Sequence, residues 1–303
     1  MEKIDMGRPT ILLAASALLM STLACTITPQ LPDININIPT IEVGEAREER
    51  HSIPLAGAES ADVDLRFGAG RLELEAGVSD DLFSGYFRYN VERWAPEISR
   101  EEDKLTIRQG GDEGKWGIPS GNIRNEWELE FSPEVPLDLD VRVGAGDGEL
   151  DFTSLKVTDL DVDIGGGDLI LRFEEPNAVA MDHLTLDAGA SKIEVHGVGN
   201  ANPETMRLQG GVGDILLDLT GAWSHSAEVK VRAGAGALTF RLPDDIGVEV
   251  EARGGLAKVD AYGLKQMGST YTNDVFGNTD TELHIDVTAG VGNVRLIVEG
   301  AGG

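Results

Sequence analysis

The chain has 303 residues, of which 53 are acidic and 25 are basic, so its formal net charge is −28 at neutral pH. A charge of this sign repels nucleic acid, and we therefore expect no nucleic-acid partner. Apolar residues make up 41% of the chain and are interleaved with the acids, which predicts a folded protein rather than a disordered acidic one.

The amino terminus has the features of an export signal. Two basic residues, Lys3 and Arg8, precede an apolar run over residues 11–23 that is too short to span a bilayer comfortably. The run ends in the letters STLAC, and Cys25 is the only cysteine of the chain. This ending resembles the lipobox of bacterial lipoproteins, which implies a signal peptide over residues 1–24 and lipid attachment at Cys25. The alternative is an ordinary secretory signal or an uncleaved anchor with an incidental cysteine.

Residues 25–50 follow as a tether. Pro29, Pro32 and Pro39 fix the backbone and remove hydrogen-bond donors, and a charged run closes the segment. Fully extended, the tether would reach about 80 Å from a membrane, at roughly 3.3 Å per residue. The alternation of isoleucines over residues 34–38 is also compatible with a short edge strand.

A short glycine corner between two alternating segments recurs from residue 61 onward. We call the first residue of each corner an anchor glycine. The eight anchors are Gly68, Gly144, Gly165, Gly189, Gly211, Gly234, Gly255 and Gly290. Residues three and five positions before each anchor are apolar, whereas those two and four positions before it are polar. This alternation predicts strands with one buried and one solvated face, and we expect the glycines to be structural.

The spacing of the anchors predicts how the strands are arranged. From Gly144 onward, successive anchors are separated by 21, 24, 22, 23, 21 and 35 residues. A unit of about 22 residues is typical of one coil of a parallel β-solenoid, in which coils stack at roughly 4.8 Å. The alternative is an antiparallel β-sandwich or meander in which each corner is a hairpin loop.

The stretch over residues 80–135 differs in composition. It contains several aromatic residues, including three of the four tryptophans, Trp94, Trp116 and Trp127. We expect the aromatics to cap the open end of the solenoid, although a carbohydrate or partner site is an alternative. The runs VDLRFGAGRLELEAG and LFSGYFRYNVERWAPEISREEDKLTIRQG resemble the amino-terminal domain of the toast-rack family of bacterial envelope proteins, over roughly residues 45–135.

The later repeats resemble the glycine-cornered adhesin-like domains related to LiaF-like proteins. The resemblance implies an all-β, right-handed parallel β-helix, with a toast-rack domain over residues 51–135 and adhesin-like repeats over residues 136–303. It also implies membrane attachment and, in some members, envelope-stress signalling. No catalytic motif comes with it.

Several candidate chemistries are open to direct inspection. The glycines of residues 210–216 resemble a calcium-binding turn, but Ile215 stands where that motif needs an aspartate. Asp161 and Asp163 share one strand face, as catalytic carboxylates of β-helical enzymes do, whereas pairs such as Asp140 with Arg142 and Glu251 with Arg253 indicate cross-strand ion pairs on a solvated sheet. The five histidines, at positions 51, 183, 196, 225 and 284, lack metal-ligand spacing.

Two functions from different classes follow. We favour a non-catalytic, lipid-anchored, extracytoplasmic protein whose solenoid serves adhesion, scaffolding or envelope-stress sensing. It needs no cofactor, contacts the membrane through its anchor, and has an envelope protein or a polysaccharide as its partner. The alternative is a carbohydrate-active β-helix enzyme, which requires acids and a base that converge in one groove.

Overall fold

The computed structural model describes residues 40–78, 80–111 and 118–299. The signal peptide, Cys25, most of the tether and Trp116 lie outside the described residues. Strands make up most of the described chain, with a 3-10 helix at Glu92–Trp94 and a short α1 at Val198–Ala201. The strands are β1 Thr40–Glu42, β2 Arg47–Pro54, β3 Ala61–Ala76, β4 Asp81–Tyr89, β5 Pro96–Glu101, β6 Lys104–Gln109, β7 Ile118–Ser120, β8 Asn125–Phe131, β9 Pro136–Asp151, β10 Lys156–Arg172, β11 Met181–His196, β12 Pro203–Val212, β13 Ile215–Asp218, β14 Ala227–Leu242, β15 Gly247–Tyr262, β16 Lys265–Met267, β17 Thr270–Thr272 and β18 Glu282–Val298.

The coils stack as a parallel β-solenoid, which confirms the predicted fold class. Most long strands run through one glycine corner and pair in parallel with the strands of the coils above and below; one coil divides into β12 and β13. Equivalent positions align, so that Val162 of β10 lies between Val141 of β9 and Leu186 of β11. These inward residues are almost fully buried and form one continuous core. The apolar and polar positions of the repeat are therefore the inner and outer faces of the coils.

The corners bring the backbones of successive coils into close contact. A Cβ atom on Gly144 would lie 2.4 Å from the carbonyl oxygen of Gly68, and one on Gly165 would lie 2.4 Å from that of Gly144. The glycine two positions after the anchor has a different constraint as well, since Gly146 has a φ of +134°. The corner at Gly144 thus needs glycine twice, for close approach at the anchor and for backbone conformation beyond it, whereas the corners at Gly189 and Gly255 have Ser191 and Ala257 at the second position.

The last two coils are not stacked in chain order. β18 lies between β14 and β15, so the corner at Gly290 precedes that at Gly255 in the stack. Gly290 therefore packs against Gly234, and β15 forms the outer coil. The connection over residues 265–280 allows this reversal, because it is long enough to carry the chain around β15. Part of this connection, β17, pairs antiparallel with β15 and covers part of its outer edge.

The opposite end of the solenoid is also built out of chain order. The terminal coil consists of β6 and β8, which pair in parallel with the two halves of β3. Its corner is made by side chains rather than glycine: Gln109 accepts hydrogen bonds from the Gly68 backbone N–H at 3.0 Å and from Asn125 Nδ2 at 2.8 Å. Beyond β8, the strands β4 and β2 continue the sheet in antiparallel orientation.

Most aromatic residues of this end belong to the core. Trp127 lies edge-on to Phe67 and Phe87, with ring centroids 5.1 and 4.9 Å apart. Phe83, Phe87 and Tyr89 are buried as well. Strand pairing between β3 and β9 crosses the proposed boundary at residues 135 and 136 without interruption. Of the residues described, no helix is both long enough and apolar enough to cross a membrane.

Candidate functional site

The face that precedes the corners is a set of ladders in which equivalent outward residues stack from coil to coil. One ladder begins with three aspartates in register, Asp62, Asp138 and Asp159. Partial burial and these neighbouring carboxylates raise the pKa of Asp138 above its usual value. Burial, with the carboxylates of Asp182 and Asp161, also raises the pKa of Asp159. Like charges directly opposite one another destabilise a sheet. The acids at this end are therefore held together at a cost in stability.

The Asp138→Asn variant should be more stable than the native protein at pH 7, by less than about 1 kcal/mol for this partly exposed group. A carboxyl whose pKa is raised in the folded state binds protons more readily when folded, so its unfavourable contribution is relieved as the pH falls. The difference between the two proteins should therefore shrink toward the ordinary aspartate pKa of about 3.9. Thermal unfolding of both proteins at pH 7, 5 and 3.5 measures this difference in stability.

Asp64→Asn on the same face is the matched control with the opposite sign. The Arg66 guanidinium holds the pKa of Asp64 below its usual value, so this carboxylate stabilises the fold above that range and loses the effect as the pH falls. The substitution should lower the melting temperature at pH 7. Equal effects of the two substitutions would contradict this account.

Most counter-ions on this face lie along the strands, although Lys104 of β6 reaches across to Asp62 of β3 at 3.6 Å. Asp140 pairs with Arg142 at 2.7 Å and Glu251 with Arg253 at 2.5 Å, each two positions apart on one strand. We expected these ions to pair across strands. This is wrong for Asp140 and Arg142, whereas Arg253 does make a second, cross-strand contact with Asp286 at 3.4 Å. The reason is the register, because parallel stacking places residues of the same repeat position opposite one another and often repeats their charge.

The face that follows the corners carries a second acidic cluster. Burial and the neighbouring Glu130 and Asp151 raise the pKa of Glu75. Arg172 reaches toward this cluster and pairs with Glu149 at 2.6 Å. Within the described ranges, no three acids, histidines or cysteines come close enough to hold a metal ion.

The residues singled out as catalytic or metal-binding alternatives stay apart. Asp161 and Asp163 occupy separate outward positions of β10, aligned with Asp140 and Arg142 of β9. His183 lies 2.7 Å from the Thr205 hydroxyl, and His284 lies between two glutamates. Four of the five histidines lie in strands, and His225 lies in the connection between β13 and β14; each has an oxygen partner from the protein itself.

A groove with the opposite character crosses β11, β12 and β14. We call it the cationic groove, because Arg207 and Arg232 line it together with Lys230. Arg207 and Lys230 are directly opposite in register, and Arg232 aligns with Gln209. The larger part of the groove has a volume of about 490 Å³, which lies within the usual range of small-ligand sites. It brings together cations that are 23 and 25 residues apart in sequence.

Two acids, Asp187 and Glu228, line the larger part of the cationic groove, and each has a partner. Asp187 accepts a hydrogen bond from Gln209 at 2.9 Å, and Glu228 pairs with Lys230 at 2.9 Å. Asp286, on the coil beyond, pairs with Arg253. In the part of the chain that the structure describes, the guanidinium groups of Arg207 and Arg232 make neither a hydrogen bond nor an ion pair. Two adjacent guanidinium groups thus remain available in a protein of net charge −28.

A larger cleft, of about 620 Å³, lies on the antiparallel extension at the other end. Its Tyr86 ring is flanked by Arg50 at 4.8 Å and Arg88 at 5.2 Å. Arg88 is bound to Glu126 at 2.7 Å, so only Arg50, which stacks on the Tyr86 ring, has no carboxylate partner among the described residues of this cleft. The cationic groove is therefore the stronger candidate site, and sequence inspection of single strands missed it.

Solved structures similar in fold come from several bacteria. A candidate cell adhesion protein from Clostridium sporogenes is 24% identical, with 84% of this chain and 100% of the other covered and a TM-score of 0.49. A candidate adhesin from Bacteroides fragilis is 12% identical, with coverage of 84% and 99% and a TM-score of 0.40. A candidate lipid-binding protein from Parabacteroides distasonis is 11% identical, with coverage of 84% and 99% and a TM-score of 0.34.

No curated protein matches the chain. A family model does match, over residues 42–196 and 176–241, and its description is the N-terminal domain of toast_rack, DUF2154. These matches span well over half of the 303 residues and include the cationic groove through Arg232. The chain therefore belongs to the toast_rack family.

Proposed function

We propose that this protein is a non-catalytic envelope protein, held on the outer side of a bacterial membrane by a lipid on Cys25, and that its solenoid presents a binding surface. The observation that supports this most directly is the ladder organisation of both outward faces. Their acids are spaced by the coil repeat, and several are bound by arginine or lysine, as Asp140 is by Arg142. Such an arrangement provides many polar contacts to a partner and does not gather a catalytic acid and base in one place.

The charge is unevenly distributed over these faces, with acids concentrated near β3 and β9 and cations near β12 and β14. This polarity supports a directional interaction surface of the kind that adhesion or scaffolding requires. Envelope-stress sensing would use the same surface, with the bound partner as the signal. The predicted tether over residues 25–50 ends earlier than expected, because its last part contains β1 and the start of β2, which pair with β7 and β4. The part before Thr40 would keep the solenoid away from the membrane, so that its faces are accessible.

The Cys25→Ala variant tests the anchor. We expect the native protein to partition into the detergent phase of solubilised membranes and to incorporate a labelled fatty acid, because two or more acyl chains hold a protein stably in a bilayer. Cys25→Ala should lose the label completely and move to the aqueous phase or be released from the cells. Thr26→Ala, which changes the next residue and keeps the thiol, is the matched control.

Comparison of partners captured by the native protein from detergent-solubilised envelope with those captured by Cys25→Ala tests the surface function. Retention of Cys25→Ala in the membrane fraction at the native level would contradict lipid anchoring. Turnover of a wall or extracellular polysaccharide by the purified protein would contradict the non-catalytic assignment.

A further inference from the structure

We propose that the cationic groove binds a carboxylate-bearing polysaccharide, such as a polymer of uronic acids. This inference deepens the proposed surface function and rests on it for the extracytoplasmic setting in which such polymers occur. It commits the groove formed by Arg207, Lys230 and Arg232 to one class of ligand.

The first argument is the unsatisfied positive charge. Arg207 and Lys230 are placed opposite each other, and a like-charged pair in this position is unfavourable unless an anion lies between or above the two groups. Lys230 forms an ion pair with Glu228, whereas among the described residues no carboxylate pairs with Arg207 or Arg232. A bound anion would supply what the protein itself does not.

The second argument is the shape of the donors. A guanidinium group presents parallel N–H donors that match the two oxygens of a carboxylate, and such pairs are stronger and more specific than contacts with a single oxygen. Both arginines are exposed on the outward face, so their donors are accessible to a ligand from solvent. Two arginines on neighbouring coils can hold successive carboxylates of one extended polymer.

The third argument is the rest of the lining. Thr185, Thr205, Gln209 and His183 contribute hydroxyl, amide and imidazole groups to the same groove. These groups donate and accept hydrogen bonds, as the hydroxyls of a sugar ring do. Asp187 and Glu228 line the groove as well, held by Gln209 and Lys230, and they can accept hydrogen bonds from sugar hydroxyls. The combination of guanidinium groups with hydrogen-bonding side chains fits a sugar acid better than a bare inorganic anion.

The acidic end of the solenoid does not prevent this binding. The aspartates of β10 lie two coils from β12, which at a coil spacing of roughly 4.8 Å is about 10 Å. This distance exceeds the Debye length of about 8 Å at physiological ionic strength. The local cations therefore determine the interaction at the groove, while the overall negative charge slows the approach of a polyanion.

Calorimetric titration of the full chain, purified in a non-ionic detergent, with a hexamer of galacturonate tests the proposal. We expect saturable binding of the hexamer and no binding of its fully methyl-esterified form, which retains the hydroxyls but lacks the charges. The Arg207→Gln, Arg232→Gln double variant should bind at least about tenfold more weakly, a loss of about 1.4 kcal/mol. Its circular dichroism spectrum and melting temperature should show that it is folded.

The Arg66→Gln, Arg142→Gln double variant is the matched control, because it removes the same charge from two outward arginines of adjacent coils, each two residues before its anchor as Arg232 is. It should bind the hexamer within about twofold of the native protein, since a contact that is not made in the complex contributes little. Absence of hexamer binding, or equal losses in both double variants, would overturn the proposal. Binding of poly(glycerol phosphate) through the two arginines without binding of the hexamer would also overturn it, in favour of a phosphate polymer. These measurements do not depend on Cys25, so the proposed anchor and the groove can fail separately.

Discussion

The Gly146→Ala variant should lose more than about 3 kcal/mol of unfolding free energy, which is a large part of the stability of a typical domain. Gly146 has a φ of +134°, and a Cβ atom there would lie 2.0 Å from the carbonyl oxygen of Gly70 on the adjacent coil. That oxygen belongs to the backbone, so it cannot move aside as a flexible side chain would. Relief requires the corners of neighbouring coils to separate. Urea unfolding followed by circular dichroism measures the loss.

Two further glycine variants separate the causes of this effect. Gly277 has a φ of +78° with no atom within 4 Å of a Cβ position, so Gly277→Ala measures backbone strain alone, at about 1–2 kcal/mol. Gly144 has no positive φ but approaches Gly68 closely, so Gly144→Ala measures the steric contact alone. An effect of Gly146→Ala no larger than that of Gly277→Ala would show that the coils are not packed as closely as described.

Ending the chain after Asp280 should remove protection from amide hydrogen exchange in two coils rather than one. The truncation deletes β18, which supplies the parallel partner of β15 and covers β14. Without β18, β15 retains only its short antiparallel contact with β17. We therefore expect amide hydrogens of residues 247–262 to exchange at the rate of an unfolded segment, together with increased exchange along β14. Hydrogen exchange with mass spectrometry gives the result by segment.

Val287→Asp is the full-length comparison for the truncation. Val287 is fully buried in β18, and an unpaired carboxylate at that position should displace the strand and produce the same pattern of exchange. Thr288→Asp, on the next and outward position, should leave the protection of β15 unchanged. Persistent protection of residues 247–262 in the truncated chain would contradict the insertion of β18 between β14 and β15.

The alternation of the sequence was sufficient to predict the faces of the strands. Val141 and Arg142 illustrate why: neighbouring side chains of a strand point to opposite sides, so one sequence position determines burial without knowledge of the partner strand. The regular interval between anchors then predicted the parallel stacking. Both inferences use information that is local in the chain or repeats at a fixed period.

The order of the last coils could not be predicted in this way. Gly255 and Gly290 obey the same positional rule, so either is compatible with packing against Gly234. A weak signal was present in the size of the inward residues, because Ala252 and Ala261 stand where other coils have larger side chains. Small inward residues suit an outer coil, which has a neighbour on only one side.

The cationic groove was missed because each strand was considered by itself. Arg207 and Lys230 are ordinary outward residues within their own strands, and their significance comes from the register that places them opposite each other. Following one outward position from coil to coil gives the signal, since aspartates at this position of β9 and β10 are replaced by cations on β12 and β14. The absence of free counter-ions around them needed the three-dimensional contacts.

The insertion of β18 also has a consequence for the timing of folding. As the chain is synthesised from its amino terminus, β15 is complete 36 residues before β18 is. Throughout that interval β14 and β15 present two edges with the same alternation and no strand between them. The β16–β17 ribbon is made earlier than β18 and pairs with the far side of β15, so it can hold this strand while the final neighbour is still being synthesised. The carboxyl-terminal end of the solenoid is thus completed by the last strand to be translated.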